Sequence, residues 1–100
     1  IDNSVALGEK GLTRLEDMKS KYPIVSDVRG LGLFFGIELT KNGKPAQKEA
    51  EEVLYHSLSN GLSYKVGGGS ILTLCPPMTI TEEELNDAFN VIEAGIKEVS

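Results

Sequence analysis

This 100-residue chain predicts an α+β domain, with a three-stranded, mostly antiparallel sheet and helices packed on one face. Large apolar residues recur at helical spacing in three separate segments, 3–22, 46–58 and 85–99. Between the first two lies a stretch of clean alternation, 28–39, with the period of a strand. Between the last two lie short apolar runs, 62–66 and 70–75, on either side of three glycines. The length suits a single domain, 1–100, built around one core.

Val5, Leu12, Leu15, Met18 and Tyr22 line one face of a first helix from Asn3 to Tyr22. Gly8 and Gly11 either weaken that helix or admit a close neighbour. Pro23 ends it, having no amide to donate and disfavouring helical geometry in the residue before it. Val28 to Leu39 reads as one long strand. Leu31, Leu33, Phe35, Ile37 and Leu39 share one face, and Gly30, Gly32, Phe34, Gly36 and Glu38 share the other. Three glycines on one face cost strand stability and point to close approach by another backbone or element.

Asn42-Gly43, within Lys41–Lys44, is a turn signal. Pro45 suits the first turn of a second helix with the stripe Ala46, Ala50, Val53, Leu54, Ser57 and Leu58, stopped by Asn60-Gly61. Leu62–Val66 and Ser70–Cys75 make a hairpin around Gly67-Gly68-Gly69, and Pro76-Pro77 forbids further pairing. Thr81 and Glu84 form a capping box for a last helix whose stripe is Leu85, Ala88, Phe89, Ile92, Ile96 and Val99.

The formal charge of -5 is unevenly placed: residues 1–50 carry 8 basic and 7 acidic groups, residues 51–100 only 2 basic and 8 acidic. No cluster of Lys and Arg exists to displace counterions from phosphates, so nucleic acid is not an expected partner. No apolar run approaches the ~18 residues of a spanning helix, so no membrane partner is expected either. One cysteine, Cys75, cannot form an internal disulfide and suits a reducing compartment, which makes the cytoplasm the expected location. The chain opens on Ile1 rather than Met, the mark of a processed chain or of one cut from something longer.

Gly30-Leu31-Gly32 with Gly36 has the wrong spacing for a dinucleotide fingerprint and lies in a strand instead of a turn feeding a helix. Gly67 to Gly69 lacks the Gly-Lys-Ser/Thr of a phosphate loop. His56, the single histidine, lies off its helix's apolar stripe and reads as solvated, Cys75 reads as a small buried strand residue, and no spacing joins the two as metal ligands. Arg29 and Lys65 are strand cations, with Lys65 on the face opposite Leu62, Tyr64 and Val66.

Two strings carry a family resemblance. Asp27-Val28-Arg29-Gly30-Leu31-Gly32-Leu33-Phe34-Phe35-Gly36-Ile37-Glu38-Leu39 resembles the segment opening the C-terminal domain of class III pyridoxal-phosphate-dependent aminotransferases. Leu72-Thr73-Leu74-Cys75-Pro76-Pro77-Met78-Thr79-Ile80-Thr81, followed by Glu82-Glu83-Glu84-Leu85, resembles that family's strand, double-proline turn and final helix. Order and spacing agree across nearly the whole chain.

The resemblance implies the C-terminal small domain of a longer, fold-type-I enzyme that moves an amino group between an ω-amino acid or amine and a 2-oxo acid. It also implies a homodimer whose missing large domain binds pyridoxal 5'-phosphate and supplies the Schiff-base lysine. By this resemblance the segment holds no catalytic or cofactor-binding residue and is inactive by itself. Members acting on ornithine-like α-amino acids carry an arginine where Thr73 stands here, so an α-carboxylate fork is missing. Thr73 and Lys65, the nearest basic residue, are the candidate substrate-binding positions. An aminomutase of the same family and a stand-alone interaction module docking through a bare glycine face are the alternatives.

Overall fold

A computed structural model describes residues 3–100, so Ile1 and Asp2 lie outside the described residues. The elements are α1 (Asn3–Lys21), β1 (Val25–Leu31), β2 (Phe34–Lys41), β3 (Lys44–Pro45), α2 (Gln47–Ser59), β4 (Lys65–Gly67), β5 (Ile71–Leu74) and α3 (Glu82–Val99). The α+β class is as expected, and the strands pair antiparallel in the order β1-β2-β5-β4, with β3 added to β2. Five strands replace the expected three.

The extra strands arise from turns. Residues 28–39 are not one strand: Gly32 and Leu33 form a two-residue loop, with Gly32 at φ 57°, and Leu31 pairs with Phe34 across it. Such a loop pairs residue i with i+3, which reverses sequence parity from one strand to the next. The three glycines therefore do not share a face. Gly30 pairs with Phe35 on the core side, Gly32 makes the turn, and Gly36 pairs with Arg29 on the opposite side. Leu31, expected in the core, is 84% exposed. Likewise Pro45 lies in β3 opposite Thr40 and not in a helix, because Asn42 and Gly43, both at positive φ, close a tight hairpin before it.

Close approach by another element occurs where α1 crosses β1 and β2. A Cβ on Gly8 would collide with the Gly32 carbonyl, and one on Gly11 would lie 2.6 Å from the Phe35 ring. These glycines mark the buried face of α1 together with Leu7, Leu15 and Met18, leaving Val5 exposed, contrary to the stripe drawn from large residues alone. On the same side of the sheet, Phe35 is fully buried and meets Phe89 of α3 edge-on, with ring centroids 5.2 Å apart and planes at 80°. Ile37, Leu39, Leu72 and Leu74 complete this core-facing side.

The α3 capping box forms as expected: the Glu84 amide donates to Thr81 Oγ1 at 3.1 Å, and the Thr81 amide donates to Glu84 Oε1 at 2.9 Å. In α2, buried Ser57 donates to the Val53 carbonyl at 2.9 Å, while Leu58 is 46% exposed. A polar cluster joins α1 to α3. Arg14 donates through Nε and Nη2 to Glu93 Oε1, at 3.2 and 2.8 Å, and through Nη2 to Asn90 at 2.8 Å. Tyr22 donates its hydroxyl to Glu93 Oε2 at 2.8 Å. Burial would raise the Glu93 pKa, but the hydrogen bonds from Arg14 and Tyr22 outweigh it and hold the carboxyl below its ordinary value.

Gly8→Ala should lower stability by about 1 to 3 kcal/mol through overpacking against fixed backbone, although alanine is the better helix former by roughly 1 kcal/mol. A higher urea midpoint for this variant would contradict the close crossing. Because the folded pKa of Glu93 is depressed, its stabilising contribution is full above the unfolded value, about 4.3, and is lost as pH falls through the lower folded value. Glu93→Gln should therefore flatten the acid limb of a plot of Tm against pH, and an unchanged limb would exclude this carboxylate as its source.

Candidate functional site

The sheet's other side is uncovered by helices, and the register decides what stands on it. Arg29 pairs with Gly36, Gly36 with Thr73, and Thr73 with Lys65, so these four residues form one row across β1, β2, β5 and β4. Cross-strand partners share a face, so Lys65 and Thr73 stand side by side. The two candidate positions are thereby brought together.

They line a cleft of about 640 Å³ whose walls include Phe34, Tyr64, Cys75 and the Pro76-Pro77 turn. That volume is within the range of small-molecule sites. Thr73 and Phe34 also line a smaller cavity of about 180 Å³ over Gly36, bounded by Arg29 and Glu38. Lys65 is exposed, and among the described residues no carboxylate lies within ion-pair distance of its ammonium group. Arg29, by contrast, is held by Asp27 at 3.2 Å with its side chain 79% exposed, matching its reading as a solvated edge charge.

Lys65 is positioned from below. The Tyr64 side chain turns toward the core, and its hydroxyl lies 3.0 Å from Ser57 Oγ, which in turn donates to the Val53 carbonyl of α2. Burial pushes the Tyr64 phenol above its ordinary pKa, against a smaller lowering by Ser57, so it stays protonated and able to donate. With Tyr64 pinned inward, the next residue in the strand faces out.

Two single residues differ from their sequence reading. Cys75 is exposed and lines the cleft: β5 ends at Leu74, and with Leu72 and Leu74 buried the alternation turns Thr73 and Cys75 outward. His56 is not fully solvated. Its ring packs on Gly95 of α3, where a Cβ would lie 3.1 Å from it, and Nδ1 is 3.8 Å from Glu98. Sequence reasoning placed Phe34 and Gly36 on the face opposite Phe35, Ile37 and Leu39, as the structure does, but missed that Phe34 lines the cleft and Gly36 the smaller cavity, because that depends on the pairing of β2 with β5.

Comparison with known proteins decides the family. Residues 1–96 match the family described as aminotransferase class-III. The chain belongs to the class III aminotransferase family. Over 89 residues it is 43% identical to the (R)-1-hydroxy-2-aminoethylphosphonate ammonia-lyase of Vibrio splendidus (strain 12B01), covering 86% of this chain and 19% of that protein. Over 93 residues it is 39% identical to an ornithine aminotransferase of an Exiguobacterium species (strain ATCC BAA-1283 / AT1b), covering 93% and 21%. A phospholyase from Arthrobacter, solved in complex with phosphoethanolamine, superposes with a TM-score of 0.90 at 25% identity, over 97% of this chain and 24% of that one. The chain thus spans about a fifth of the length of the curated relatives it matches, 19% and 21%.

The family depends on pyridoxal phosphate, yet the side chains of the cleft do not fit that cofactor. Free amides at a helix N-terminus are one common cradle for a cofactor's phosphate, whereas α3, whose preceding turn borders the cleft, opens with Glu82, Glu83 and Glu84 and has its Glu84 amide taken by Thr81. No carboxylate lines the cleft to hold a pyridine nitrogen, and Lys65 stands on an open sheet face instead of in an enclosed pocket. What the cleft offers is one cation, the hydroxyls of Thr73 and Ser63, that of Tyr64 being engaged by Ser57, and an apolar wall.

Proposed function

We propose that this class III chain, residues 1–100, is the C-terminal small domain of a longer pyridoxal-phosphate-dependent enzyme. The full protein transfers an amino group between an amino donor, an ω-amino acid or amine, and a 2-oxo acid. It acts as a cytoplasmic homodimer, with the cofactor and the Schiff-base lysine supplied by the remainder of the polypeptide. The family match over residues 1–96 is the observation that supports this reading.

In this proposal the domain forms one wall of the substrate cleft. Lys65 supplies a point charge for an acidic end of the substrate, and Thr73 beside it supplies a hydroxyl. Neither offers the planar double donor that grips an α-carboxylate, which favours donors without one. A second reading has its own support: the 43% identity to a phosphonate ammonia-lyase and the close superposition on a phospholyase. It makes the full protein a lyase that releases ammonia from an amine bearing a phosphonate or phosphate group, an anion that a lysine and a hydroxyl suit.

The two separate by their need for a co-substrate. The full-length protein, given an amino donor, should turn over repeatedly only when a 2-oxo acid is present. Sustained ammonia release without 2-oxo acid would establish the second reading, and no reaction in either case would overturn both. Lys65→Ala should weaken the reaction of an acidic substrate by about 1 to 3 kcal/mol, the loss of one charge-assisted hydrogen bond, and spare neutral amines. The ratio of kcat/KM between the two is the measurement, since loss of folded enzyme lowers both alike; an unchanged ratio returns Lys65 to a solvated strand lysine.

A further inference from the structure

We propose that Gly36 sets how long an amino donor the cleft accepts, by leaving the floor of the small cavity bare. This rests on the amino-donor reading above and adds to it a determinant of donor length. Gly36 lies in β2, an interior strand, where glycine weakens pairing and calls for a reason. Two internal reasons are absent. Its backbone is not in the left-handed region that glycine serves elsewhere in this chain, at Gly32, Gly43, Gly61, Gly68 and Gly69. Nor does packing demand it: a Cβ at Gly36 would meet only Arg29 Cβ at 3.9 Å and Ile71 Cγ2 at 4.0 Å, ordinary van der Waals contact. Gly8 and Gly11, which the fold does require, present the opposite case, with a collision and a 2.6 Å approach.

What the missing side chain does create is space. The cavity of about 180 Å³ lies over Gly36 and adjoins the larger cleft, because Thr73 and Phe34 line both. Gly36 is one strand away from Thr73, about 4.8 Å, the length of roughly three to four methylene groups. A donor whose acidic or polar end lies by Lys65 and Thr73 can therefore run its remaining chain over Gly36 toward Arg29. Phe34, 52% exposed, forms the apolar side of that path. A methyl group placed at Gly36 would fill the floor and shorten the reach without disturbing the strand.

The test uses the full-length holoenzyme with two primary amines that each carry a terminal carboxylate, that is two ω-amino acids, one short and one extended by four methylene groups. Gly36→Ala should lower the kcat/KM ratio of long to short amine by about tenfold or more, the discrimination available to one methylene in a tight pocket, and Gly36→Val should lower it further. Tm should not fall in either variant, since an interior strand gains from losing a glycine where the added Cβ has room. Gly67→Ala is the control: its Cβ would point into open space, the residue lines neither cavity, and the ratio should not move. An unchanged ratio in both Gly36 variants, or an equal loss for both amines, would overturn the inference. The second of those results would mean that the bare strand serves another part of the polypeptide. No turnover of either amine by the unsubstituted protein would overturn the amino-donor reading itself and this inference with it.

Discussion

The Phe35 ring, caught between Gly11 of α1 and Phe89 of α3, is the contact on which the arrangement of the domain depends. Edge-to-face pairing adds about 0.5 to 1.5 kcal/mol to what burial of the rings supplies. Its larger effect is geometric. Because Gly11 has no side chain, α1 lies directly on the β1–β2 hairpin, and the same close crossing brings Gly8 against the Gly32 carbonyl at the hairpin turn. Widening the gap by one methyl group would lift the helix from both points at once and separate all three elements.

Polar contacts hold the orientation that this apolar contact leaves open. Arg14, Asn90, Glu93 and Tyr22 tie α1 to α3 along their length, and Glu93 receives enough donors to remain ionised despite partial burial. On the other flank, the Val53–Ser57–Tyr64 chain of hydrogen bonds joins α2 to the segment leading into β4. With both flanks held, the helices stay on one side of the sheet, and the other side is left to carry the row Arg29, Gly36, Thr73 and Lys65.

In the function proposed above, that uncovered side is the domain's contribution to the substrate cleft. The cleft combines a lysine that has no ion-pair partner among the described residues, a hydroxyl and a proline-rich wall, and no carboxylate that would hold a pyridine nitrogen lines it. Recognition of a substrate's far end is within its chemistry.

From the sequence alone, the α+β class, the three helices, the α3 capping box, the Asn42-Gly43 and Gly67–Gly69 turns, the family, and the outward placement of Lys65 were legible. Each depends on neighbours a few positions apart: a stripe at 3.6 residues, a hydroxyl three residues before a carboxylate, or glycines where φ turns positive. The tertiary structure decided where 28–39 turns back on itself, hence which glycines face the helix and which face the cleft. It also decided that Cys75 lies exposed and that Thr73 and Lys65 share a row. Alternation continues through a two-residue loop as if the strand were unbroken, although the loop exchanges the two faces. Only the packing of α1 on Gly32 and the pairing of Leu31 with Phe34 distinguish the two cases. Those are contacts between separate elements, which no local period encodes.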